Sequence, residues 1–415
     1  MGSRLDAMDW DAEEHLREPH AAYAIGRRES PVHKVPGKDL VMVFGYDEVI
    51  EALMKPTVFS SRNEQALLGP SINSPRCRAI YARGWPQVET LLTNDPPSHT
   101  RFKKLVNRAF TREKVDGLEA QITGIVDRLI DGFADAGHCE FVRDFAIPLP
   151  CTVIARQLGI DTADVPRVKA WSDAFIELIG SALTEDEQAE RAEQVVAFQH
   201  YMKARIDERR TAPRADMLTD LLQARVDDER PLDEAELLSV AQQLMVAGNA
   251  TTTHMLAGGL FTLIENPGEL ARVRADPSLI PNMVEELLRM QTPTQGMWRR
   301  ATQDTVLGGV PIPAGTMLLL MFTSANRDEK YFPDPDRFDV TRDFGTAHVA
   351  FSRGIHTCIG MMLSRKELVV AFRRILERLE DIRLAPGSER PRYIPSPLFR
   401  GLHELPIAFR RGATN

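Results

Sequence analysis

Read as a pattern of apolar and polar positions, the chain is mainly helical, with two short regions patterned like strands. Apolar residues recur at helical spacing over about 114–135, 161–180, 187–210 and 234–266. The last run stops at Pro267, which has no N–H to continue a helix. That run predicts a helix of roughly thirty residues, far longer than the globular average, and therefore one that crosses the whole domain. Val32 to Gly45 and Thr305 to Phe322 instead carry β-branched runs punctuated by turns, the second around Gly308-Gly309 and Pro313-Ala314-Gly315, and both read as hairpins. One more helical pattern begins at Met361 and runs through Val370. The fold class expected is mainly α with a small β-rich portion.

Composition narrows this. A chain of 415 residues exceeds the size at which one core usually divides, yet no Gly/Ser linker, low-complexity tract or fixed repeat interrupts it. A single domain over 1–415 is expected, with residues 1–20 as an N-terminal tail. The hydrophobic share of 43% suffices for a sizeable core. No apolar run approaches a membrane span, so a soluble protein without a membrane partner is expected. The N-terminus lacks the apolar stretch of a signal peptide and has Asp6 where a myristoylation motif needs Ser or Thr. Cys77, Cys139, Cys151 and Cys358 are scattered, which suits a reducing cytoplasm better than a disulfide framework. With 59 acidic against 51 basic residues and a net charge of -8, the chain is not a general nucleic-acid binder.

The chemistry concentrates in Phe351-Ser352-Arg353-Gly354-Ile355-His356-Thr357-Cys358-Ile359-Gly360. One cysteine stands between two glycines, beside a helical pattern, with no second cysteine nearby. Zinc sites and iron-sulfur clusters need several ligands, whereas a haem iron can take a single thiolate. Gly354 and Gly360 let the backbone approach a flat macrocycle, and Gly354 can adopt a positive φ. Phe351 can cover the sulfur with an apolar ring, and backbone N–H groups after Cys358 can spread the sulfur's charge. The start of the following helix would favour thiolate over thiol at Cys358. For an arbitrary lone cysteine, a buried structural role in a turn is the commoner outcome.

This segment resembles the haem-binding signature of the cytochrome P450 haem-thiolate monooxygenases, Phe-x-x-Gly-x-His-x-Cys-x-Gly, with Ser352 in place of the usual second glycine. Glu286-Leu287-Leu288-Arg289 matches the family's Glu-x-x-Arg. Pro335-Asp336-Arg337-Phe338 matches the element whose arginine joins that pair, and Asp95-Pro96-Pro97-Ser98-His99-Thr100-Arg101 resembles the start of the helix at the haem edge. These matches run in family order from about residue 20 to about 410. The resemblance implies the cytochrome P450 fold, with the long central helix across the haem, haem b as cofactor, and Cys358 as the metal ligand. It also implies a cytoplasmic, monomeric monooxygenase that uses dioxygen.

Within the long helix, Ala247-Gly248-Asn249-Ala250-Thr251-Thr252-Thr253 weakens an otherwise good helical sequence, because hydroxyls compete for carbonyls and glycine lacks a side chain. Back-bonding inside a buried helix is the alternative. The resemblance aligns Thr251 with the family's proton-delivery threonine and puts Ala247 and Gly248 against the macrocycle. It also aligns the family's acidic residue with Ala250, whose methyl group cannot relay a proton. Asn249 with water is one substitute relay; an engineered alanine, or a reaction that does not activate dioxygen, are the others. By the same resemblance His99, Lys103, Arg299 and His356 neutralise the haem propionates, with Lys103 replacing the commoner arginine and giving up its planar two-pronged contact. Glu286, Arg289 and Arg337 are expected to form a structural network.

No flavin or nicotinamide fingerprint follows residue 410, so electrons are expected from a separate ferredoxin-type donor with its reductase. Arg101, Lys103, Lys104, Arg108, Arg112, Lys114, Arg353, Arg365 and Lys366 would attract such an acidic partner if they share one face. The resemblance places the substrate pocket along about 70–90, 172–200, 240–251, 292–298 and 395–400. These segments supply Trp85, Val88, Leu91, Phe175, Leu178, Ile179, Leu244, Ala247, Met297 and Leu398. This mainly apolar set favours a lipophilic small molecule such as a terpenoid, steroid or fatty acid. A peroxide-using peroxygenase or an isomerase, and a non-catalytic haem sensor, are the other functions open at this stage.

Overall fold

The helix Glu234–Glu265 follows the predicted run to within a residue. Its first turn is fixed by a reciprocal cap, in which the Glu236 amide donates to Asp233 Oδ1 and the Asp233 amide donates to Glu236 Oε2, each at 3.0 Å. It stops before Pro267, which opens the next helix, Pro267–Ala275. The Ala247–Thr253 stretch stays helical throughout, with Asn249, Thr252 and Thr253 buried.

The computed structural model describes residues 3–62, 73–180, 183–226 and 229–412. They gather into two units, one of Met1–Ser61, Ala120–Ala146 and Thr251–Asn415, the other of Arg62–Glu119 and Ile147–Ala250. The long helix contributes to the second through Ala250 and to the first from Thr251.

The first unit carries the sheets. β1 (Val32–Lys34) and β2 (Leu40–Val43) form the expected antiparallel hairpin. The second predicted hairpin resolves into three strands. β6 (Thr305–Leu307) and β7 (Val310–Ile312) turn at Gly308-Gly309, both at positive φ as a tight two-residue turn requires. β8 (Met317–Met321) leaves them to pair in parallel with β2 and antiparallel with β5 (Gly296–Ala301), which carries β3 (Phe59–Ser60) on its other edge. Leu318 and Leu320 pack with Val41, Val43 and Val49, while Leu319 and Met321 pack on the other side with Met42 and Phe44. β8 is thus buried on both faces, which is why it reads as a continuous apolar run. Leu5 is fully buried in the second cluster and Arg4–Ala7 forms a helical turn, so the segment expected to be a tail is folded into this unit. A three-stranded sheet pairs β10 (Pro406–Arg411) with β4 (His138–Glu140) and β9 (Leu379–Leu384).

The second unit is helical. Glu185–Thr211 opens with a capping box between Thr184 and Glu187, and it packs its Ala189, Ala192 and Val196 against Cys77 and Ile80 of the helix Pro75–Tyr81. Trp171 of the helix Val165–Gly180 meets Phe198 edge-on at 5.4 Å. The predicted 114–135 helix is two, Arg112–Gly117 and Glu119–Asp131, broken after a glycine that is a poor helix former. Among the described residues, no helix is long and apolar enough to cross a membrane.

Candidate active site

Of the four cysteines, Cys77, Cys139 and Cys151 are buried, and Cys358 alone is exposed. It lies in a loop that closes on itself, with the Cys358 amide donating to the Phe351 carbonyl at 2.9 Å. Two left-handed residues shape that loop, Ser352 at φ 58 and Gly354 at φ 67. At Gly354 a Cβ would lie 2.8 Å from the Leu53 carbonyl, so only glycine fits. Ser352 takes the same conformation with a side chain, at a cost of about 1 kcal/mol. The helix Met361–Arg378 begins three residues after Cys358 and has no side-chain cap at Gly360, which leaves the positive end of the helix directed toward the cysteine loop. A Cβ on Gly360 would meet Cys358 Sγ at 4.0 Å. No residue from Phe351 to Met362 is fully buried, although the helix beyond is largely core.

Hydrogen bonds running back into the unit hold this loop. Glu286 and Arg289, both fully buried, pair through two contacts of 2.7 and 2.8 Å. Arg289 donates to the carbonyls of Asn326 and Pro335, and the Asn326 side chain accepts from the Val349 amide at 2.7 Å. The Ser352 amide then donates to the Val349 carbonyl at 2.8 Å. The arginine completing the Glu286 pair is Arg342, at 2.9 Å and 10% exposed, and not the expected Arg337, which is 64% exposed and 3.8 Å from Asp339. Motif spacing named the wrong arginine because the irregular 326–360 chain carries Arg337 outward.

A second anchor was not legible in the motifs. Glu285 receives Arg365 at 2.6 and 2.7 Å and His348 at 3.1 Å, and the Arg365 guanidinium lies 4.7 Å over the Phe351 ring. Burial pushes the Glu285 carboxyl up, but its hydrogen bonds to His348 and Arg365 outweigh this and hold it at about 2. The signal was Arg365 itself, a basic residue in the second turn of the helix that follows the cysteine loop.

Other candidates in this unit are His356, hydrogen-bonded to Ser61 at 2.9 Å, and Arg299, buried on β5 with Nη1 donating to the Trp298 carbonyl. Met297 packs half-buried against the apolar cluster of β2 and β8, and Leu398 against the cluster containing Leu5. Thr251 is half-buried.

In the helical unit, His99 is buried in the helix Ser98–Asn107 and Lys103 is half-exposed one turn on. Burial, then the Lys103 charge, lowers the His99 pKa, which favours the neutral ring. Along the long helix Ala247 is exposed, Gly248 and Ala250 are half-buried, and Asn249 is buried. A Cβ on Gly248 would meet Ile154 at 3.4 Å. Trp85 donates its indole N–H to Glu234 at 2.9 Å and meets His200 edge-on, while Phe175 and Leu178 are core. Leu244 is buried, Val88 and Leu91 are half-buried, and Ile179 is 41% exposed. Residues 70–72 and 181–182 of the predicted pocket lie outside the described residues. Arg101 turns inward to Glu236 at 2.8 Å, which removes it from the basic surface group, and Lys114 pairs with Asp220.

The sequence model of the cytochrome P450 family matches residues 167–402, more than half of the chain. The chain belongs to the cytochrome P450 family. It is 36% identical over 397 residues to cytochrome P450 107B1 of Saccharopolyspora erythraea, covering 94% of this chain and 95% of that protein. It is 34% identical to the steroid C26-monooxygenase of Mycobacterium tuberculosis, covering 95% and 94%. Cytochrome P450 CYP109Q5 from Chondromyces apiculatus superposes with a TM-score of 0.85 at 35% identity, over 99% of this chain and all of that one. This P450 is therefore a monooxygenase with haem b as its cofactor, built on the mainly α fold that the resemblance implied. The donor set fits that group. Cys358 is the cysteine of the four that the core does not enclose, in a loop with no fully buried residue and beside a helix N-terminus, which suits a single-thiolate haem ligand.

Proposed function

We propose that this P450 hydroxylates a lipophilic small molecule of the terpenoid, steroid or fatty-acid class, with Cys358 ligating the haem iron. The exposure of Cys358 beside an uncapped helix N-terminus is the observation that carries the ligand assignment. The 34% identity to a steroid C26-monooxygenase over 95% of the chain supports the substrate class, as does the apolar character of Val88, Phe175, Leu244, Ala247, Met297 and Leu398. When bound, haem supplies the activation of dioxygen and the insertion of one oxygen atom, the other leaving as water.

The chain's own residues bind, shield and move protons. By the family resemblance His99, Lys103, Arg299 and His356 would each offer an N–H donor to a haem propionate, which would offset the cost of burying carboxylates. Phe351, held under the Arg365 guanidinium, would lay an apolar ring beside the sulfur once haem is bound. The Thr251 hydroxyl passes a proton inward, and Asn249 with solvent takes the role left open by the Ala250 methyl group. Electrons come from a separate ferredoxin and its reductase.

Spin-state titration of the ferric protein with terpenoid, steroid and fatty-acid panels tests the substrate class; no response to any lipophilic ligand removes it. The carbon monoxide difference spectrum tests the ligand, and a Cys358→Ala protein that keeps the parent spectrum removes Cys358. Ala250 also favours a second reading, a peroxide-driven peroxygenase. Ala250→Glu should raise product formed per NAD(P)H consumed, by about tenfold or more given the usual worth of a positioned proton donor. Unchanged coupling, together with turnover supported by peroxide alone, would favour the second reading.

A further inference from the structure

Between Glu236 and Glu265 the long helix carries a single titratable side chain, His254. It stands one turn beyond Thr251, at the i, i+3 spacing that sets two Cβ atoms about 5–6 Å apart on one helix face. Gly258 and Thr262 continue that face in steps of one turn. The positions between them, Met255-Leu256-Ala257 and Leu260-Phe261, are buried apolar core.

The segment 393–402 lies over this polar face. Tyr393 Oη donates to Gln291 Oε1 at 3.1 Å, Gln291 Nε2 donates to Thr262 Oγ1 at 2.7 Å, and Thr262 Oγ1 donates to the Gly258 carbonyl at 2.8 Å. A Cβ on Gly258 would come within 2.9 Å of Gln291 Oε1, so the glycine gives that amide its place. On the returning arm, Gly401 accepts from the Ile394 amide at 2.8 Å, and a Cβ on it would run into His254 Nδ1. Gly401 is not at positive φ; room for the imidazole is what calls for glycine there. Nδ1 is shielded from solvent, and the Phe399 ring stands 6.4 Å from the imidazole, which is half-buried. The charged or titratable side chains of the covering segment are Tyr393 and Arg400. Tyr393 is bonded to Gln291, while Arg400 stacks 3.5 Å over Tyr393 and lies 3.6 Å from Glu18.

Threonine and asparagine side chains can pass a proton along, but neither holds one near neutral pH, whereas an imidazole both takes and releases one there. We propose that His254, seated by Gly401, is a positioning residue that recharges the Thr251 hydroxyl with protons, the titrating member that a path through Asn249 and solvent lacks once Ala250 carries no carboxyl. This role rests on the proposed reading of Thr251 as the group that passes protons inward. The imidazolium gives its proton to Thr251 Oγ1, directly or through a water, as Thr251 sends its own hydroxyl proton toward the oxygen that leaves as water. The neutral ring then takes a proton from solvent.

Haem-loaded parent, His254→Gln, Gly401→Ala and Thr251→Ala proteins test this. His254→Gln keeps size and polarity without the titration. In the carbon monoxide adduct, the C–O stretching frequency of the parent should shift with one ionisation between about pH 5 and 8, and His254→Gln should lose that shift. The fraction of NAD(P)H consumed without release of hydrogen peroxide, which needs no identified product, should fall about tenfold in His254→Gln at pH 7. Adding Ala250→Glu to His254→Gln should restore it, and Gly401→Ala, which keeps the imidazole but displaces it, should lower it. A parent frequency that does not titrate, a titration that survives His254→Gln, or unchanged peroxide release in that variant overturns the proposal. Thr251→Ala separates the two readings: if it leaves peroxide release unchanged, the role of Thr251 falls and this proposal with it, whereas if it raises release and His254→Gln does not, this proposal alone falls. If His254→Gln does not fold, the parent titration and its loss in Gly401→Ala decide.

Discussion

Glu367 is a carboxyl without a charge partner, 3% exposed in the helix that follows the cysteine loop, with Oε2 unpaired. Burial pushes its pKa from 4.5 up to about 8. The unfolded carboxyl ionises above about 4.5 while the folded one keeps its proton, so stability falls as pH rises between those values and levels off beyond about 8. The loss is on the order of a few kcal/mol. Glu367→Gln keeps the size without the charge and should flatten that slope. Urea unfolding of parent and variant at pH 6 and pH 9 measures it, and equal slopes would refute the assignment. At this scale the sequence was legible where a residue type dictates geometry. Gly354 was read as a positive-φ position and has one. It was silent on Glu367, since nothing in a single helical sequence says that a glutamate faces inward.

Elements were read well where local chemistry sets their ends and poorly where a distant partner does. Pro267 ended the long helix in the sequence reading, by a signal that is local, whereas the Asp233 cap at its start was not read. The i, i+3 spacing of Glu286 and Arg289 likewise placed them on one helix face, and they pair there. The third member came from an irregular segment with no periodicity to extrapolate, and so Arg337 was expected where Arg342 stands. The two arginines therefore differ in consequence. Arg342→Ala strips a contact from a fully buried glutamate and should cost about 3 kcal/mol along with haem retention, while Arg337→Ala on the surface should cost under about 0.5 kcal/mol. Chemical denaturation with haem absorbance as a parallel readout distinguishes them; equal losses would mean the network is misassigned.

Over the whole molecule the net charge is -8, yet Lys104, Arg108 and Arg112 are exposed on one stretch of the helical unit. If an acidic ferredoxin docks there, the rate of first reduction should fall steeply with ionic strength, and Arg108→Glu with Arg112→Glu should lower it about tenfold at low salt. Stopped-flow reduction under carbon monoxide measures this, and a salt-independent rate would exclude the patch. The parallel pairing of β2 with β8 has a consequence of a different kind. Residues 40–43 wait for a strand at 317–321, roughly 270 residues later on the ribosome. At about 5–20 residues per second that is a delay of about 15–50 seconds. Throughout it the apolar edge of β2 has no strand to lie beside, which exposes that early hairpin to aggregation and makes it a place for a chaperone to act during translation.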